Sequence, residues 1–595
     1  MIRTPLRPLA RILDARQKGE NPDAIERENL RLRHEQMRDK ARTRAEGRLL
    51  VLGVVFLCAF MLIGARMGLL AASQPVEPRA QATGASIVAS RADIVDRKGR
   101  ILATNMETHS LYAHPHQMIE PKRAARELAR IFPDLNEERL IKDFTGERKF
   151  LWVRKKLSPE QLQAVHDIGE PGLLFGPREM RLYPNGSIAA HVLGGAGFGR
   201  EGVDAAEVVG RAGVEQFFDE ELRDPARNGA PLELSLDLGV QAASERVLLA
   251  GMRLLNAKGA ASVLMDVRTG EVISIVSLPD FDPNDRPAPP VQGNPSDSPL
   301  FNRAVQGVYE LGSTFKIFAA AQALELGLAA PNTMINTSLP LKIGGHTIGE
   351  FNRKDYGTIS VEEIIVKSSN RGTGRLALNI GAERQQAFLK SLGFFDPTPF
   401  EITEAKGGKP LLPSRWTDLS TVTISYGHGL SATPLHLAAG YAAIANGGHV
   451  VKPTLLKQSA PQTGPRVMRP EVARAARVML RKVVTEGTAS FGEVPGYFVG
   501  GKTGTADKPK ERGGGYHKDK VIATFAAMFP AHDPKYVLVV ALDEPVETSG
   551  DTPRRTAGWT AVPVAAQMIE RVAPLLGLRP EREPGQVSGV TLISQ

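Results

Sequence analysis

The 595 residues are 42% hydrophobic and 23% charged, which excludes a disordered chain and, at this length, a single ordinary domain. The net charge of +9 is weighted to the start, where residues 1–48 hold thirteen Lys/Arg against eight Asp/Glu. That segment contains no aromatic residue and ends at an apolar run, so its charge predicts a membrane surface as partner and no nucleic acid.

In chain order, residues 1–48 read as a basic, mobile cytoplasmic tail with one helix around Asp23–Arg44. Leu49–Ala65 is uncharged and strongly apolar, Arg66 interrupts it, and Met67–Ala72 continues it. The run 49–72 is long enough to span a bilayer, with Arg66 able to reach the headgroups. It is too long, and its basic flank far too long, for a cleaved signal peptide, so an uncleaved anchor is expected. The opposite flank, 73–90, carries only Arg79 as a basic residue, which predicts a cytoplasmic N-terminus and an extracytoplasmic body. The single cysteine, Cys58, lies in the apolar run, so no internal disulfide can form and the body must hold by its core.

Residues 73–87 read as a linker on Pro75, Pro78 and Gly84. The segment 73–232 forms a first extracytoplasmic domain, of mixed short strands and turns such as Asp96-Arg97-Lys98-Gly99. It has helical patterns at Lys122–Phe132 and Pro159–Asp167. A second domain is expected over 233–578. It opens with strands Ser262–Val267 and Glu271–Leu278 around a tight turn at Arg268-Thr269-Gly270. A helix follows at Ser313–Leu328, with Gly312 and Ser313 as its cap residues. Strands are expected at Phe498–Thr505, Val521–Met528 and Tyr536–Leu542, and a helix at Trp559–Leu575. Strands at both ends around a helical block predict an α+β fold, one antiparallel sheet covered by helices. A loose tail is expected at 579–595.

Three short patterns carry chemistry. Ser313-Thr314-Phe315-Lys316 is the chain's one Ser-x-x-Lys, and its spacing puts an amine one helical turn from a hydroxyl. A serine hydroxyl needs a base, and Lys316 can serve only when neutral, which requires burial and a nearby second cation such as Lys502. Ser368-Ser369-Asn370 follows the helical stretch Val361–Lys367; Ser368 can relay a proton and Asn370 can hold a substrate amide. In Lys502-Thr503-Gly504-Thr505, strand alternation puts Lys502 and Gly504 on one face, with Thr503 and Thr505 on the other. Such an edge strand suits an added peptide strand, with Gly504 allowing close approach and Lys502 and the threonines holding a carboxylate. Each pattern alone has a plainer reading as a cap with a surface lysine, a helix end, or an ordinary strand. Together, in this order, they form an acyl-transfer set. The twelve histidines form no metal-binding spacing, so no metal and no cofactor is expected. His428 reads as a loop residue rather than a base, and Gly194–Gly199 lacks the strand–helix context of a nucleotide loop.

With these motifs the chain resembles a class B penicillin-binding protein of the FtsI-like, division-specific peptidoglycan D,D-transpeptidase group. The resemblance runs from the anchor to about Leu575. It takes in Arg91 to Gly99, Arg181-Leu182-Tyr183-Pro184 and Gly213-Val214-Glu215 in the first domain, which would be the pedestal (dimerisation-like) domain. In the second domain it takes in Asn302-Arg303-Ala304, the stretch Gly344 to Leu378, Tyr426-Gly427-His428-Gly429 and Thr433-Pro434. Ala92 and Leu311 stand where the family usually has glycine and proline. The resemblance implies a penicillin-binding, serine β-lactamase-like domain on a pedestal, in which Ser313 attacks a D-Ala-D-Ala carbonyl and Lys316 takes its proton. Ser368 and Asn370 assist; Lys502, Thr503 and Thr505 bind the carboxylate; the N–H groups of Ser313 and Thr505 receive the oxyanion. It also implies stem-peptide and β-lactam ligands, a SEDS-family glycan polymerase and other division proteins as partners, and an inner-membrane position at the septum. An elongation-type transpeptidase and a D,D-carboxypeptidase or β-lactamase-like hydrolase are the alternatives, and a sensor or scaffold is the non-enzymatic one.

Overall fold

A computed structural model describes residues 7–72, 91–201, 206–462, 464–510 and 514–581. The expected linker at 73–87 and the end of the expected tail, 582–595, lie outside the described residues. The chain divides into two compact units, one drawn from Met1–Glu77, Tyr112–Val153 and Ala164–Leu174, the other from Pro78–Leu111, Arg154–Gln163 and Phe175–Gln595.

In the first unit, helices span Arg7–Gln17 and Pro22–Ala72. The first was not expected from sequence. The second joins the basic helix and the apolar run into one element of 51 residues. Nothing between Arg44 and Leu49 breaks it: the one glycine there, Gly47, costs only about 1 kcal/mol in a helix. Its His34–Met67 stretch is long and apolar enough to cross a membrane, and none of its apolar window is buried. The same unit holds helices Pro121–Ile131 and Glu137–Phe144, which bury Ala125, Leu128, Leu140 and Phe144. An aromatic cluster joins Tyr112 to Phe150 (5.4 Å) and Phe150 to Trp152 (5.0 Å).

The second unit begins with a small sheet in which Ile94–Val95 pairs antiparallel with the start of Ile101–Ala113 and parallel with Leu232–Glu233. Asp96 closes the intervening turn, accepting from the Lys98 and Arg100 N–H groups. The pedestal motifs of the resemblance converge on one buried ion cluster. Arg91 Nε donates to Glu215 Oε2 at 2.6 Å, Arg181 Nε donates to Glu215 Oε1 at 2.6 Å, and the Tyr183 hydroxyl reaches Oε1 at 3.2 Å. Gly195–Glu201 and Ala206–Ala212 pair antiparallel, so Gly195, Gly197 and Gly199 sit in a strand, while Gly194 ends the short helical turn before it.

The larger sheet of this unit contains β1 (Gly259–Asp266), β2 (Val272–Leu278), β3 (Gly500–Pro509), β4 (Tyr516–Phe529) and β5 (Tyr536–Asp543) in the order β3-β4-β5-β1-β2. Every pairing is antiparallel, and β5 against β1 closes the two ends of the domain on each other. β1, β2 and β5 are buried along almost their whole length, which requires cover on both faces. Helices α1 (Leu238–Leu254) and α7 (Ala561–Leu575) pack together on one side, and α5 (Pro434–Ala445) lies over β1, β4 and β5. Between them in sequence come α2 (Lys316–Glu325), α3 (Val361–Lys367), α4 (Asn370–Ile380) and α6 (Pro470–Thr485). The predicted α+β architecture is therefore present. The order leaves β3 with one neighbour, as an edge strand flanked by α6.

Candidate active site

The serine motif does not begin as an α-helix. Gly312–Phe315 forms a 3-10 turn that feeds α2 at Lys316, and neither Gly312 nor Ser313 caps it with a side chain. The expectation of two cap residues fails because Gly312 has a different task. At φ +57°, a Cβ there would lie 2.9–3.1 Å from the Thr505 backbone, so only glycine lets the serine turn press onto β3. The backbone just before Ser313 thus lies against that of Thr505. Across Leu311–Ala320, Ser313 is the only residue not buried, and its hydroxyl makes no hydrogen bond among the described residues.

Lys316 opens a largely apolar helix, with Ile317 to Ala321 all buried behind it. Phe315, Phe318, Phe394 and Tyr441 pack there with ring centroids 4.9–5.6 Å apart, and the Tyr441 hydroxyl donates to Thr314 O at 2.8 Å. Lys316 is 1% exposed, and its ammonium points at the second motif. It donates to Ser368 O at 2.5 Å, Asn370 Oδ1 at 2.7 Å and Ser368 Oγ at 3.1 Å. These acceptors share one direction because the chain breaks between α3 and α4. Ser368 ends α3 in the left-handed region (φ 60°), and Ser369 caps α4 by accepting from Gly372 N–H.

Lys502 reaches the same serine from the other side, its Nζ 2.9 Å from Ser368 Oγ. It is fully buried. Burial is the main cause lowering both lysines, to about 7 for Lys316 and well below the ordinary lysine range for Lys502. Two ammonium groups sharing one hydroxyl in a dry site cannot both hold a proton comfortably, and the charge on Lys316 adds to the lowering of Lys502. The Glu350 carboxylate acts in the opposite sense, raising Lys316.

The strand motif alternates as expected. Lys502 and Gly504 face the serine turn, and a Cβ on Gly504 would overlap Leu311 O and come within 2.9 Å of Thr314 Cγ2. The closeness that Gly504 permits is therefore between strand and serine turn. Thr503 Oγ1 pairs with Thr488 Oγ1 at 2.7 Å, and Thr505 Oγ1 accepts from Ala557 N–H at 3.0 Å. Thr505 remains partly exposed at the edge.

Several supporting residues carry no sequence motif. Glu350 accepts from Ser369 Oγ (2.5 Å), Asn370 N–H (2.8 Å) and Arg371 N–H (2.9 Å), holding the whole second motif in place. It lies just after the hairpin Leu341–Ile343/His346–Ile348, turned by Gly344 and Gly345 at positive φ. Gly427 accepts from Gly312 N–H through its carbonyl and packs against it so closely that a Cβ would overlap Gly312 O. His428 sits in the following loop. The one sequence clue to Glu350 and Gly427 is that both fall in stretches carrying the family resemblance. Among the described residues no cluster of metal-binding side chains occurs.

Two family models match the chain, the penicillin-binding protein transpeptidase domain over residues 260–570 and the penicillin-binding protein dimerisation domain over residues 86–227. The chain belongs to the penicillin-binding protein transpeptidase family. Its similarity to the probable peptidoglycan D,D-transpeptidase FtsI of Caulobacter vibrioides is 32% identity over 569 residues, 93% of each chain. The Escherichia coli peptidoglycan D,D-transpeptidase FtsI is 27% identical over 523 residues, covering 83% of this chain and 84% of that one. Among solved structures, the apo transpeptidase domain of Burkholderia pseudomallei penicillin-binding protein 3 superposes with a TM-score of 0.51 at 33% identity, covering 59% of this chain and 98% of that domain. The transpeptidase is thus an FtsI-type enzyme of peptidoglycan cross-linking, with peptidoglycan as substrate class and β-lactams as ligands.

Proposed function

We propose that the chain cross-links peptidoglycan stem peptides at the division septum through a Ser313 acyl-enzyme. The observation that carries the reading is the buried bridge Lys316 Nζ–Ser368 Oγ–Lys502 Nζ, which joins three motifs distant in sequence. In the proposed cycle a D-Ala-D-Ala terminus adds alongside β3 with its carboxylate at Lys502, Thr503 and Thr505. That carboxylate favours the charge on Lys502, which leaves Lys316 neutral and able to take the Ser313 proton. Ser313 Oγ bonds to the penultimate D-Ala carbonyl, the oxyanion is received by the Ser313 and Thr505 N–H groups, and D-Ala leaves with a proton passed through Ser368. Asn370 holds the substrate amide. Gly504 contributes only its backbone and its lack of a side chain. An amine from a neighbouring stem then takes the acyl group.

The proposal extends to topology and partners. Residues 1–48 would be cytoplasmic, 49–72 the inner-membrane anchor, 73–232 the pedestal, 233–578 the transpeptidase domain and 579–595 a loose tail. The anchor and pedestal would meet a SEDS-family glycan polymerase and other division proteins. Two measurements test this. Penicilloyl-enzyme should persist for many minutes, and turnover within seconds would make the protein a hydrolase. A fluorescent fusion should gather at the septum in cells that filament when their only copy carries Ser313→Ala; side-wall labelling would make it an elongation enzyme, and normal division a scaffold.

A further inference from the structure

A stem-peptide amine arrives in water as an ammonium, which must give up a proton before it can attack, and none of Ser313, Lys316, Ser368, Asn370, Lys502, Thr503, Gly504 or Thr505 carries an anion to receive it. A carboxylate stands close by. Glu310 precedes the serine by three residues, so its Cα lies within roughly 11 Å of that of Ser313. It is only 8% exposed. One oxygen is fixed, Oε1 accepting from Gly429 N–H at 2.7 Å and from the Tyr516 hydroxyl at 3.0 Å. The other, Oε2, is buried with no hydrogen-bond partner among the described residues, and the nearby His428 Nδ1 is in the same condition.

A buried carboxylate oxygen without a donor is costly unless something arrives to satisfy it. Glu310 lines a cavity of about 640 Å³ together with Tyr309, Ser431, Asp507 and Lys510. Two other acids on that wall, the buried Asp543 and the half-buried Glu544, are already paired, with Lys508 Nζ 2.7 Å from both. The loop Gly427–Gly429 ties the carboxylate to the nucleophile, because Gly427 O holds Gly312 N–H while Gly429 N–H holds Glu310.

We infer that Glu310 Oε2 is the receptor for a primary ammonium of a stem peptide in the cavity beside the serine turn. The inference rests on the transpeptidase reading above. The ammonium can belong to a side chain of the donor peptide or to the acceptor, and an ammonium fits either way: it brings three donors to an acceptor that has none.

Two arms separate the sources, using the full-length protein in detergent. In the first, acylation is measured with a thioester stem-peptide analogue bearing a side-chain amine and with its N-acetylated twin. In the second, an acyl-enzyme formed from an amine-free thioester is partitioned between water and an added amine peptide. Each readout is a ratio within one variant, so partial loss of folded protein cancels. For Glu310→Gln we expect the amine-over-acetyl preference (donor source) or the aminolysis-to-hydrolysis ratio (acceptor source) to fall roughly 10- to 100-fold. Glu310→Asp, which keeps the charge, should lose less. If Glu310→Gln changes both ratios by less than about twofold, or the wild type discriminates in neither arm, the inference is overturned. A wild type that prefers the amine donor yet forms no aminolysis product would instead overturn the cross-linking reading and leave the ammonium site standing.

Discussion

Acylation of Ser313 should switch on with pH around neutrality. Lys316 is lowered from 10.5 to about 7, chiefly by burial. The neutral fraction is then about 9% at pH 6, half at pH 7 and about 91% at pH 8. The second-order rate of labelling by a fluorescent penicillin should therefore rise about fivefold from pH 6 to 7, less than twofold from 7 to 8, and then level. The Glu350 carboxylate favours the charge on Lys316, and the charge on Lys316 in turn lowers Lys502. Stability carries a matching sign. A lysine whose pKa is depressed by folding leaves the unfolded chain binding the extra proton between about 7 and 10.5, so the fold gains stability as pH rises through that window. Below pH 7 the cost of holding Lys316 in a dry site is on the order of 5 kcal/mol from the drop of 10.5 to about 7. A labelling rate that keeps climbing tenfold per pH unit beyond about pH 8 would refute the reasoning, because it would mean that the base titrates as an ordinary surface lysine.

Glu350→Gln removes the charge that raises Lys316, so the acid limb of the same profile should move to lower pH. The plateau should fall about tenfold as the Ser369–Arg371 clamp loosens. Gly504→Ala places a methyl on Leu311 O and Thr314; the serine turn must move off β3, and labelling should drop about 100-fold or more while the domain stays folded. Glu215→Gln leaves the buried Arg181 guanidinium without a carboxylate and Arg91 with Asp219 alone, and should cost about 3–5 kcal/mol in denaturant unfolding.

Strong periodicity was legible. Val361–Lys367 was read to the residue, and the β1–β2 hairpin and the three C-terminal strands came within a few positions, because their apolar runs are bounded by turns. The serine motif was misread locally. Gly312 before Ser313 looks like a helix cap, but its positive φ serves a contact with Thr505, some 190 residues away. No spacing rule expresses such a contact. Glu350 and Glu310 were missed for the same reason: each is an isolated glutamate in sequence and acquires a role only when a distant turn folds onto it. Glu215 lies in a stretch that carries the resemblance, but its role as the shared partner of Arg91, Arg181 and Tyr183 from two other stretches appears only in the fold. The N-terminal helix was split in the reading because composition changes at Leu49, while the backbone has no reason to stop there.

The central claim is that Ser313 is the residue acylated. Intact-mass and peptide mapping after penicillin treatment of the full-length protein test it directly. The account predicts one adduct per chain, on the peptide carrying Ser313, absent in Ser313→Ala and formed much more slowly in Lys316→Met. An adduct that persists in Ser313→Ala, or maps to another serine, would contradict it.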